Sequence, residues 1–235
     1  MNDVFLRTQN VREFQDMMTN LEDIAEGQPG LGLVYGRAGR GKTVCAKRYA
    51  TQTKALYMRT LEGWTPRAML AALCFELCKC EPHTTAKAMT MACEKLDKAK
   101  RTIIVDEADR LNPKLVEHWR DIHDITGVPV VLVGEESLYP MLNAKRRLWS
   151  RVVGVVEFGP ITAEDILLFA SKAAGLALAP EAGQLIAQRS DGDFRLVYRD
   201  VSGLARMAKA GGTTTVVPDM VQALPALLGG KHGNA

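Results

Sequence analysis

Between Leu31 and Thr43 the chain reads LGLVY and then GRAGRGKT, and that stretch leaves the backbone little choice. LGLVY is a short apolar run, set off from the residues before it by Gly27, Pro29 and Gly30, and it reads as a buried strand. GRAGRGKT matches the phosphate-loop pattern G-x-x-x-x-G-K-[ST] in full and lies between a strand and a helix, the setting the motif requires. The glycines let backbone N–H groups turn inward, so Gly36, Arg37, Ala38, Gly39, Arg40 and Gly41 make a cradle for phosphate oxygens. Lys42 is placed to reach the outer phosphates and Thr43 to give a hydroxyl to magnesium; Val44 carries the chain into a helix whose N-terminus adds its positive end.

A second segment makes an independent demand of the same chemistry. Ile103 to Glu107 reads IIVDE, an apolar strand ending in adjacent carboxylates. Asp106 can orient Mg2+ and its water, and Glu107 can take a proton from an attacking water as general base. Alone this would read as a buried strand entering a solvated acidic turn; downstream of a phosphate loop it implies hydrolysis.

The remaining pattern supplies the scaffold. Val11 to Ala25 carries apolar residues at helical spacing, while Ala55 to Met58, Thr102 to Val105, Pro129 to Val133 and Val152 to Glu157 read as further strands with helical stretches between them. Strands apolar on both faces and alternating with helices predict a three-layer α/β domain around a mostly parallel, doubly wound sheet. From Thr162 the texture turns helical, over Ala163 to Ala174, Pro180 to Gln188, Phe194 to Ala210 and Pro218 to Leu228. The expected division is therefore 1–160 for the α/β domain with its N-terminal helix, 161–228 for a small all-helical lid and 229–235 for a disordered tail.

Composition excludes several classes. No apolar run approaches the ~20 residues that span a bilayer, and the opening MNDVFLRTQN lacks the basic start and apolar stretch of a secretory signal; a cytoplasmic location follows as the expectation. The net charge of +3 is too small to announce nucleic acid by itself, so any DNA site must be a local patch. Cys78, Cys80, His83 and Cys93 could gather around zinc, but paired CxxC knuckles are absent and cysteine is commonly a small buried apolar residue. Reduced thiols are expected for all five cysteines.

The succession GRAGRGKT, a strand before IIVDEAD, VVLVG, WSR before a fifth strand and GDFR in a helical domain resembles the AAA+ ATPases over nearly the whole chain. The resemblance implies binding and hydrolysis of ATP with Mg2+ in a self-assembled oligomer. It assigns Arg195 of GDFR to reading the γ-phosphate and Arg151 of LWSRVV to a finger reaching a neighbouring subunit's nucleotide, with Arg146 and Arg147 as rivals. One departure stands out: after VVLVG the chain has Glu135 and Glu136 where the family places Asn, Thr or Ser, and a carboxylate near a γ-phosphate repels it.

Within that family the opening LRTQNVREF, the compact core and TTTVVPDMVQALP look like the DNA-transposition group, including its phage members. This implies an ATPase, slow and stimulated by assembly, that forms oligomers or filaments on double-stranded DNA, marks targets for recombination and activates a transposase in the bacterial host cell. The group's N-terminal DNA-binding helical appendage is expected to be missing, since the core starts within the first few dozen residues. A sequence-blind filament needs cations aimed at phosphates. Arg59, Thr60 and Arg67 around the second strand are candidates, with Lys98, Lys100 and Arg101 before the third and Lys145, Arg146 and Arg147 before the finger. Each could equally be a solvated surface residue. A helicase-loading or replication-initiation ATPase, and a DNA-independent regulatory or secretion ATPase, are the competing readings.

Overall fold

The computed structural model describes residues 1–24 and 27–225. They fall into two compact units: an α/β unit, Asn10–Arg37 with Gly41–Phe158, and a mainly helical unit formed by Met1–Gln9, Ala38–Arg40 and the chain from Gly159 onward. Two details differ from the sequence expectation. The division comes at 158/159 rather than 160/161, and Met1–Gln9, expected with the α/β part, clusters with the helical unit, because Leu6 enters that unit's core and the N–H of Asn2 donates to the carbonyl of Ala173.

In chain order the α/β unit comprises α1 (Gln9–Glu22), β1 (Leu31–Tyr35), α2 (Lys42–Gln52), β2 (Leu56–Arg59), α3 (Pro66–Cys78), α4 (Thr85–Ala99), β3 (Ile103–Asp106), a 3-10 turn (Ala108–Arg110), α5 (Pro113–Thr126), β4 (Val130–Val133), α6 (Leu138–Asn143), α7 (Arg146–Trp149) and β5 (Val152–Glu157). The strands form one parallel sheet in the order β2-β3-β4-β1-β5. β3 and β4 are buried throughout, which is why their sequences lack the alternation of a half-exposed strand. One face packs against α3, α4 and α5, with Trp119 of α5 fully buried. Ala25, the expected end of α1, lies outside the described residues.

The seating of α1 depends on two glycines. Gly32 of β1 and Gly154 of β5 are register partners; a Cβ at Gly32 would stand 2.7 Å from Leu21 Cδ1, and one at Gly154 2.6 Å from Met17 Cγ. Together they form a notch that takes two large side chains of α1. Phe14 adds edge contacts to Tyr49 and Phe158.

The helical unit contains α8 (Ala163–Ala174), β6 (Ala177–Leu178), α9 (Pro180–Ser190), α10 (Phe194–Ala210), β7 (Thr215–Val216) and α11 (Pro218–Gln222). Thr162 caps α8 by accepting from the N–H of Asp165. Ile166, Phe169, Ile186, Val197, Val201 and Leu204 fill the core. The unit is not all-helical as expected: β6 and β7 pair in parallel, and two-residue strands are too short to show a period in sequence. Residues 226–228, the expected end of the last helix, and the tail 229–235 lie outside the described residues. No helix among the described residues is long and apolar enough to cross a membrane.

Candidate functional site

In a parallel sheet the loops that follow the strands gather at one edge, and that edge of the α/β unit collects the motif residues. β1 leads into Gly36, whose φ of +144° belongs to glycine and whose imagined Cβ would lie 2.5 Å from the carbonyl oxygen of Phe158. Gly41, at φ +93°, is the N-cap of α2 and gives it no side-chain cap, so the first N–H groups of that helix are left for an anion. Lys42 is buried, and its Nζ donates to the carbonyls of Gly36 at 2.5 Å and Arg37 at 2.9 Å. Burial lowers its pKa; the carboxylates of Glu135, Asp109, Asp106 and Glu136 pull the other way without cancelling the effect. A cation held at that cost is stabilised by any anion brought beside it. Thr43 follows on the first turn of α2.

Across the same edge β3 ends in Asp106, only 2% exposed. Its carboxylate accepts the Tyr57 hydroxyl at 2.6 Å and the N–H of Glu107 at 3.0 Å. Burial, then the hydrogen bond to Asp106, push the Tyr57 hydroxyl well above its ordinary pKa, so it stays a donor. Thr43 and Asp106 offer a hydroxyl and a carboxylate, hard oxygen donors of the kind Mg2+ takes while keeping several waters. Glu107 has φ +56°, a left-handed conformation that costs a non-glycine residue about 1 kcal/mol or more. Its side chain is paired with Arg59 of β2 and, at 2.8 Å, with Nη1 of Arg110.

The departure after β4 acquires a partner. The N–H of Glu135 donates to Asp109 Oδ1 at 2.9 Å, and a Cβ at Gly134 would lie 2.5 Å from that oxygen. Asp109 thus ties the end of β4 to the 3-10 turn after the acidic pair. Glu135 and Glu136 act on Lys42 through their charge.

Other expected residues are dispersed. Arg151 opens β5, and its carbonyl accepts the N–H of Leu31 at 2.9 Å; it therefore stands at the start of the strands, about one strand length, ~15 Å, from the edge bearing Lys42 and Asp106. Its guanidinium bonds Asp124 at 3.0 Å and 3.4 Å. An arginine so placed is engaged by Asp124 and does not reach Asp106 or Glu107 of its own chain.

The DNA candidates do not form one patch. Arg59 ends β2 and Arg67 lies in the first turn of α3, whereas Lys98, Lys100 and Arg101 precede β3 at the opposite edge and Lys145, Arg146 and Arg147 precede β5. Arg59 serves the acidic pair. Thr60 is a correction: it is 1% exposed, and its N–H donates to the carbonyl of Asp106 at 2.8 Å, so it is part of the wall behind the carboxylates and presents nothing to DNA. Lys100 bonds Asp97 and the carbonyl of Thr126, and Arg101 the carbonyl of Lys54. Among the described residues no group of three or more His, Cys, Asp or Glu gathers as a metal site.

In the helical unit the loop residues Ala38–Arg40 meet the start of α10. The N–H of Phe194 donates to the carbonyl of Gly39 at 2.9 Å, and Arg40 Nη1 donates to the carbonyl of Asp191 at 2.5 Å. Asp193 caps α10 by accepting from the N–H of Arg195 at 2.8 Å, and Arg195 Nη2 returns to the same carboxylate at 2.7 Å. Burial would raise the Asp193 pKa, but the side-chain and backbone hydrogen bonds from Arg195 and its charge outweigh it, and the net shift is downward.

Sequence reasoning missed Tyr57, Arg110, Asp109, Asp124 and Asp193. Arg110, three residues after Glu107, carried a local signal; Tyr57 did not, since its role needs the β2–β3 pairing.

Comparison with known proteins gives the chain's family and fold relatives. A family model described as an AAA domain matches residues 25–142. The Mu-like prophage FluMu DNA transposition protein B of Haemophilus influenzae is 27% identical over 134 residues, 52% of this chain and 46% of that protein. The ATP-dependent target DNA activator B of Escherichia phage Mu is 25% identical over 146 residues, 61% of this chain and 46% of that protein. The chain thus spans under half the length of each. Among solved structures, the Aeropyrum pernix ORC2 protein matches with a TM-score of 0.66 at 14% identity, covering 92% of this chain and 67% of that one. Cdc6p from Pyrobaculum aerophilum matches with a TM-score of 0.66 at 22% identity, covering 94% and 66%. These two show the fold alone.

Proposed function

The chain belongs to the AAA domain family, and from that premise we propose that it hydrolyses ATP while assembled on double-stranded DNA and serves as a target-selecting, transposase-activating factor in phage-type transposition. One observation carries the enzymatic part: a buried lysine ammonium and a buried aspartate, with a glutamate beside it, brought to one edge of a parallel sheet from β1 and β3. The names of the two phage proteins, one a DNA transposition protein and the other an ATP-dependent target DNA activator, support the biological part.

Each side chain has a task in that reading. The cradle of Gly36 to Gly41 and the N-terminus of α2 bind the phosphates, and Lys42 meets the charge of the outer ones. Thr43 and Asp106 would hold Mg2+, which would supply positive charge against the developing negative charge. Tyr57 and the Glu107 N–H fix the Asp106 carboxylate. Glu107 turns a water toward the outer phosphate and accepts its proton, which requires one carboxylate oxygen to leave Arg59 or Arg110. Arg151, a strand length from Asp106 and Glu107 of its own chain, leaves Asp124 and supplies its guanidinium to the next subunit, so assembly conditions turnover.

Sedimentation and negative-stain imaging of the chain with ATP, ADP or a non-hydrolysable analogue, each with and without duplex DNA, test this. Nucleotide-dependent oligomers that require or prefer the duplex are the expected result. Monomers under every condition would overturn the assembly, and preference for single strands would point to a helicase-loading role.

A further inference from the structure

We propose that the exposed face of α10 is a docking surface for the phosphate backbone of duplex DNA. The 17-residue helix presents Tyr198, Arg199, Ser202, Arg206 and Lys209 on one side, at helical spacing, while Val197, Val201, Leu204 and Ala208 of the other side enter the core. The cations are segregated. Lys172, Arg189, Arg195, Arg199, Arg206 and Lys209 are the lysines and arginines of 159–225, and the last four lie on α10. The helix carries one carboxylate, Asp200, which is 3% exposed and turned inward to Arg189. Arg195 is engaged by Asp193 in the first turn, whereas Arg199, Arg206 and Lys209 make no ion pair among the described residues. Met1 lies against this face through a contact of its Sδ with Ser202 Oγ at 2.9 Å.

The chemistry of the face selects among anionic partners. A membrane surface needs the apolar side of the helix to insert, and here that side is committed to the unit's core. A protein partner needs apolar anchors at the centre of its interface and disfavours lysine; Tyr198, at 51% exposed, is the one large apolar side chain of α10 that stands out, and it already rests against Phe169 at 6.2 Å. What remains is long, flexible cationic side chains with a hydroxyl and a ring. From Arg199 to Lys209 they cover about 15 Å of helix axis, over which duplex DNA presents roughly nine phosphates. Contacts of this kind read no base, as a factor that binds many targets requires.

This inference rests on the duplex-binding role proposed above, and the test keeps the two apart. Arg199→Gln, Arg206→Gln and Lys209→Gln are combined, with the charge-retaining set Arg199→Lys, Arg206→Lys and the single variant Lys172→Gln on α8 as controls. Retention on a random duplex is measured with ATP analogue from low to high salt. The neutral triple variant is expected to have a slope of log affinity against log salt shallower by about 0.9 per lost phosphate contact, roughly 2.7 in all. Its melting temperature and its DNA-free ATPase rate are expected to stay at wild-type values, and both controls to keep the wild-type slope. An unchanged slope in the triple variant, with wild type bound, overturns the α10 surface and leaves the duplex role standing. Absence of duplex retention by wild type overturns both. If the triple variant and the lysine set lose retention together with melting temperature, the effect is structural and the proposal fails.

Discussion

Gly39→Ala concentrates several consequences of the structure in one atom. Gly39 has φ +78°, and a Cβ there would lie 2.1 Å from Asp193 Cγ and 2.2 Å from both carboxylate oxygens, far inside contact distance. The backbone cost of holding an alanine in that conformation is about 1–2 kcal/mol. The carboxylate must also leave, which forfeits the N-cap of α10 and its pairing with Arg195, and a lost cap costs typically ~1 kcal/mol. The sum is about 2–3 kcal/mol, equivalent to a fall in melting temperature of roughly 4–12 °C for a chain of this size. Thermal unfolding followed by circular dichroism reads it, and a double-mutant cycle isolates the clash. In an Asp193→Ala background, Gly39→Ala is expected to cost only the backbone part. A fall under about 1 °C for the single variant, or the same cost in both backgrounds, would refute the reasoning.

Lys42→Ala should abolish nucleotide binding by calorimetry, whereas Glu107→Gln should bind normally and stall turnover; wild-type turnover in both would dismiss the site. Arg151→Ala should depress turnover about a hundredfold or more with single-subunit affinity unchanged, and a loss confined to affinity would remove its role in trans. Because the Asp193 pKa is depressed in the folded chain, its contribution is complete above the ordinary carboxylate value of about 3.9 and is lost as pH falls through the lower folded value. Asp193→Asn should therefore flatten the acid limb of stability below about pH 4, and an acid limb identical to wild type would contradict the assignment.

How much of this the sequence disclosed depends on how local each feature is. The strand, turn and helix around Gly36 to Thr43 are dictated by neighbours in the chain, and so are the two acids closing IIVDE; both were legible to within a residue. Thr60 was misjudged because a polar residue leaving a strand usually meets water, and its burial follows from the bond to the Asp106 carbonyl, a β2–β3 pairing that no local pattern encodes. The same pairing brings Arg59 to Glu107 and Tyr57 to Asp106. Met1–Gln9 holds too few apolar residues to show which core it joins, and the stripe on α10 was overlooked because its cations are spaced along a helix instead of clustered in a run.

The notch made by Gly32 and Gly154 has a reach beyond its size. β1 is a stiff rod whose last residue precedes Gly36, so whatever shifts the rod at Gly32 is delivered to the loop four residues on. Drift in these two positions would be policed as severely as drift in the loop, although neither touches a phosphate. A survey of viable variants should therefore find a barren zone under α1, well away from the chemistry it protects.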